Sequence, residues 1–148
     1  MQPFPHTYAV ATTAAPIGEV VLTSAGLEPL TTAAPAEFDG PGNQWSPETM
    51  IVGAVANCFV LTFRAIANAS QFHWASLAVD VTGTLERIER VTRFTAFTIR
   101  TTLEIPAEAS EEQARRLLTK AETTCLITRS LNATVHLELD VRAVQAAV

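Results

Sequence analysis

The chain has 148 residues, 48% of them hydrophobic, only 17% charged, and a net charge of -5. That length fits one domain with a real core, and the low charged fraction predicts an obligate oligomer in which part of the apolar surface is buried against a partner. Nothing forms a basic patch, which argues against nucleic acid as a partner.

The opening segment, MQPFPHTYAV, has no basic stretch followed by an apolar one and does not read as a signal peptide. A cytoplasmic protein is therefore expected. Residues 7–12 and 19–24 read as short strands, with Pro16 and Gly18 suited to the hairpin turn between them. Gly26 marks a second turn. Residues 33–45, AAPAEFDGPGNQW, are predicted to be a loop of the kind that often carries function.

A long helix is signalled at SPET. Ser46 suits the N-cap, Pro47 the first helical position, and Glu48 the first turn, where the helix dipole favours negative charge. The helix runs on through MIVGAVANCFVLTFRAIANAS, with almost every position apolar or small. That pattern predicts burial on all sides. A domain this small must then cover the helix with a sheet and with something further, such as a partner subunit. The longest apolar stretch, Met50 to Phe63, is interrupted by Asn57 and Thr62 and falls short of the ~20 residues that span a bilayer, so no membrane partner is expected.

Residues 75–86 alternate, with Leu77, Val79, Val81 and Leu85 on one face. Residues 94–105 do the same through Phe97, Ile99, Leu103 and Ile105. Both read as half-buried antiparallel strands joined by the polar connection ERIERVTR. Ser110 and Gln113 form a capping box before a second helix with an Ala114, Leu117, Leu118, Ala121 stripe. CLITRSL reads as a further helical turn ending near Asn132, and TVHLELDV as a last strand. The order defines a single α+β domain over residues 1–148.

Cys58 and Cys125 are the only cysteines. Cys58, mid-helix, reads on its own as a small apolar filler. Cys125 follows one helix and starts another, where a helix N-terminus lowers a thiol pKa. Arg129 stands one turn further on. A structural disulfide is not expected in the cytoplasm, so a thiol pair there reads as redox-active. His6, His73 and His136 share no metal-ligand spacing with the cysteines, and there is no G-x-S-x-G elbow or glycine-rich phosphate loop. Neither a metal nor a cofactor is expected.

WSPETMIVGAVANCF, followed after two strands and a helix by AETTCLITRSLNATVHLELDV, resembles the OsmC/Ohr family of hydroperoxide-reducing proteins, in its OsmC-like branch. The likeness runs over nearly the whole chain from about Thr7. It implies an OsmC-like fold, with antiparallel sheets wrapped around a long buried helix in an intertwined homodimer. It also implies a thiol-dependent peroxidase acting on organic hydroperoxides without metal or haem. Cys58 would be the peroxidatic thiolate, Cys125 the resolving thiol, and Glu48 the family's glutamate; a small lipoyl-type dithiol would be the reductant.

Ten residues of helix separate Glu48 from Cys58, about 15 Å, so cooperation between them requires Glu48 of one chain and Cys58 of the other. The sequence departs from the family at one point. The N-terminal strand region that carries an arginine in Ohr-type enzymes reads TTAAPIGEVV here, and the first arginine is Arg64. His6, Arg64 and Arg129 are the candidate replacements. The alternative reading is a non-catalytic dimer of the same fold that binds a small apolar ligand at the subunit interface, with the cysteines as packing.

Overall fold

The computed structural model describes residues 2–144. They divide into two compact units, the first ending at Ile51 and the second beginning at Val52.

In the first unit, β1 (Ala11–Ala14), β2 (Val20–Thr23) and β3 (Leu30–Thr32) form an antiparallel sheet in the order β1-β2-β3. The β1–β2 turn uses Gly18 at a φ of 99°, a conformation that glycine adopts without steric cost. The strand expected at 7–12 begins only at Ala11. The three-residue β3 is too short to announce itself by alternation. It is held by its pairing with β2, by the Thr32 hydroxyl donating to the Val20 carbonyl (3.2 Å), and by a bridge to Trp45. The loop 33–45 contains one 3-10 turn, Ala36–Phe38.

Helix α1 (Pro47–Ala69) starts as its sequence predicts. The buried Ser46 Oγ accepts from the Thr49 N–H (3.1 Å), and the Thr49 hydroxyl accepts from the Ser46 N–H (2.8 Å). This reciprocal pair satisfies two of the donors that a helix start leaves free.

The second unit holds β4 (Ser76–Ile88), β5 (Val91–Pro106), α2 (Glu111–Thr124), α3 (Leu126–Arg129) and β6 (Thr134–Val144). β4 and β5 pair antiparallel as expected, but both run on into the ERIERVTR segment. The turn is only Glu89–Arg90, with φ of 49° and 68°. Two left-handed residues match the twist of a tight hairpin. β6 pairs with β5 in parallel, so this sheet is mixed rather than antiparallel throughout. A parallel neighbour requires a crossover, and α2 and α3 provide it. The Ser110 Oγ caps α2 by accepting from the Gln113 N–H (3.1 Å).

Phe59, Phe63, Phe97, Ile99, Leu103 and Leu118 are fully buried and build the core of this unit from α1, β5 and α2. Each such side chain contributes roughly 1.5–3 kcal/mol of burial. Gly83 on β4 permits the close approach of α1, because a Cβ there would stand 2.8 Å from Val52 Cγ2. Within one chain, however, α1 is buried only along Val55, Phe59, Phe63 and Ala67. The expected burial on all sides is therefore not met by the chain's own sheet, which covers one stripe. Leu61 remains 49% exposed. By length and composition α1 is also long enough to cross a membrane, with a mean hydropathy of 1.9. Its Phe59–Phe63 stripe packs on the sheet as that of a core helix does.

Candidate functional site

Cys58 sits on α1, beside the buried stripe, and is partly exposed. Cys125 lies between α2 and α3 and is fully buried. The fold brings these two distant thiols together, near enough for each to shift the other's acidity. Both are reduced.

Cys125 is at once the C-cap of α2 and the N-cap of α3. Its carbonyl accepts from the Arg129 N–H (3.1 Å), which closes the first turn of α3. The N–H groups of Leu126 and Ile127 have no partner inside so short a helix, and both favour the anionic form of the nearby Cys58. The Thr62 hydroxyl, one turn along α1, lies 3.8 Å from Cys58 Sγ.

These donors decide the acidity. Burial pushes the Cys58 thiol up, but hydrogen bonds from Cys125, the Ile127 N–H, Thr62 and the Leu126 N–H outweigh it and hold the thiol below its ordinary value. Cys125 goes the other way. Burial raises it, and donation to Cys58 and the nearby Cys58 charge reinforce that, against hydrogen bonds from Thr128. The sequence expectation that the helix start would acidify Cys125 is thus corrected. The capping residue carries its own thiol into the core, and the free N–H groups beyond it face Cys58 instead.

No cation takes part among the described residues of this unit. Arg64 and Arg129 are exposed, and neither contributes to the acidity of Cys58. His6, in the first unit, stacks on Phe4 (4.4 Å) and bonds the Gln2 carbonyl (3.0 Å). Glu48 also lies in the first unit. Its Oε2 is buried and has no hydrogen-bond partner among the described residues. Glu19, in the turn before β2, accepts from Gln44 Nε2.

A surface cavity of about 480 Å³ opens beside Cys58, lined by Asn57, Leu61, Thr62, Ile66, Leu126 and Ile127 among others, none of them charged. Among the described residues, no three His, Cys, Asp or Glu side chains converge as metal ligands would. Sequence reading missed Thr62 and the two amides. Thr62 was visible four residues past Cys58, but the amides act through their place in space and leave no side-chain signature.

Fold and site together define an α+β protein with two neighbouring free thiols, one of which lines an uncharged cavity. The chain belongs to the OsmC-like protein family, whose model matches residues 40–140. It is 28% identical over 109 residues to the uncharacterized protein YmaD of Bacillus subtilis, covering 72% of this chain and 73% of that one. An OsmC-like protein of unknown function from Vibrio cholerae has the same fold (TM-score 0.83, 16% identity, 93% of this chain and 100% of that one). So does an organic hydroperoxide resistance protein OsmC from Legionella pneumophila (TM-score 0.74, 22% identity, 96% and 100%).

Proposed function

We propose that this chain is a thiol-dependent peroxidase for organic hydroperoxides, working as one OsmC-like domain in a homodimer. The observation that carries the reading is the divergence of the two thiols: Cys58 is acidified and borders the cavity, while the buried Cys125 stays protonated beside it. The Cys58 thiolate attacks the distal peroxide oxygen. The S–O bond forms, the O–O bond breaks, and the alkoxide takes a proton and leaves as the alcohol. Sulfur has then lost two electrons and stands as the sulfenic acid. The Cys125 sulfur displaces its hydroxyl as water and closes a disulfide. A lipoyl-type dithiol reduces that disulfide by exchange and is itself oxidised.

The names of relatives such as the Legionella hydroperoxide resistance protein support this substrate class. The uncovered apolar side of α1 supports the dimer, and Glu48 would serve the partner's site. The alternative, a non-catalytic dimer holding a small apolar ligand, is favoured by the uncharged cavity but gives the thiol pair no task.

The test is a thiol count after cumene hydroperoxide. Loss of two thiols per chain, abolished by Cys58→Ser, is expected; unchanged thiols under excess oxidant would overturn the reading.

A further inference from the structure

Threonines inside helices ordinarily turn the hydroxyl back to the carbonyl three or four residues earlier. Five among the described residues do so: Thr49 donates to the Ser46 carbonyl (3.1 Å), Thr119 to the Arg115 carbonyl (3.0 Å), Thr123 to the Lys120 carbonyl (3.1 Å), Thr124 to the Lys120 carbonyl (2.7 Å) and Thr128 to the Cys125 carbonyl (3.0 Å). Thr62 differs. Its hydroxyl is paired with the Cys58 sulfur at 3.8 Å. A threonine in a helix has two common χ1 rotamers, one of which returns the hydroxyl to a backbone carbonyl; the contact with the Cys58 sulfur sets Thr62 apart from the others. Thr62 is also partly exposed and lines the cavity beside Cys58.

We propose that Thr62 is a positioning residue for Cys58: its Oγ1–H donates to the sulfur, holds the Cys58 side chain toward the start of α3, and favours the anionic form of the sulfur. The other groups that lower the pKa of Cys58, the Leu126 and Ile127 N–H groups and the Cys125 thiol, all come from the α2–α3 junction, and Thr62 is the one whose contact with the sulfur meets hydrogen-bond geometry among the described residues. Thr62 is the donor that belongs to the same helix as Cys58, and it clamps the sulfur from the opposite element. Cys125 is the one titratable group that faces Cys58 from the packed elements among the described residues, and the cavity lining from α1 and α3 carries no charge.

The role rests on the reading of Cys58 as the reacting thiol, but its test needs no peroxide. Cys58 alkylation by iodoacetamide is followed from pH 5 to 10 by peptide mass mapping in the full-length protein, in Thr62→Val and in Thr62→Ser. Valine keeps the shape and removes the donor; serine restores it. The expected result is a Cys58 profile displaced to higher pH in Thr62→Val, about threefold to tenfold slower at neutral pH, with Thr62→Ser close to the parent. Thr62→Ala serves as a second donor-free variant if Thr62→Val fails to fold. An unmoved profile in a folded donor-free variant overturns the proposal, as does a serine variant that behaves like valine. Failure of the peroxidase reading would appear separately, as a Cys58 that alkylates normally but ignores peroxide.

Discussion

Cys58 and Cys125 are neighbours whose acidities run in opposite directions: burial and the nearby Cys58 push Cys125 up, while Cys125, Thr62 and the Leu126 and Ile127 amides together bring Cys58 down. A donor stabilises the anion it faces and becomes harder to ionise itself. The two thiols are therefore unequal before any reagent arrives, one more readily ionised and the other less.

The sign of the shifts fixes a pH order. A lowered thiol keeps its reactive anion to lower pH than free cysteine, whose pKa is about 8.5; a raised one needs more alkaline solution. Cys58 should reach half its maximal alkylation rate below that value and Cys125 above it. In Cys125→Ala, which removes the foremost donor, the Cys58 midpoint should move upward. A Cys58 midpoint at or above that of free cysteine contradicts the arrangement.

Mixed dimers test the place of Glu48. Ten residues of continuous helix hold it about 15 Å from Cys58 along the axis of α1. If each Glu48 serves the other chain, Cys58→Ser and Glu48→Ala are both inactive as pure dimers. A hybrid of the two keeps one complete site, so purified hybrids should show about half the parental turnover, and an equal, randomly reassembled mixture about a quarter. No recovery in verified hybrids would mean that Glu48 has no role across the interface.

The β4–β5 turn offers a stability test away from the site. Glu89 and Arg90 both hold left-handed φ without being glycine or asparagine, at a cost of roughly 1–2 kcal/mol per residue. Both are exposed. Glu89→Asn combined with Arg90→Gly gives the turn its preferred residues, and the thermal midpoint should rise. An unchanged or lower midpoint would mean that the turn is not strained.

The same turn explains part of what the sequence hid. ERIERVTR carries no glycine or asparagine, so it reads as a polar connection, although nearly all of it is strand. β3 was hidden for a different reason: three residues are too few for a period. Capping chemistry and periodicity were legible, as Ser46, Ser110 and the long alternating strands demonstrate. The family and its α+β fold were legible too. The direction of β6 and the choice of the acidified thiol were not, because both depend on what the crossover brings together in space.

That choice has a consequence for solution conditions. A thiolate held by an arginine owes part of its acidity to a charge, and dissolved ions weaken such attraction over a Debye length of about 10 Å at 0.1 M. Within its own chain, Cys58 is held by a thiol, a hydroxyl and two amides, all of them neutral. Such donors act at contact range and leave counterions little to screen. Cys58 should thus keep its alkylation rate nearly level as ionic strength rises, in conditions where an arginine-activated thiol would lose ground.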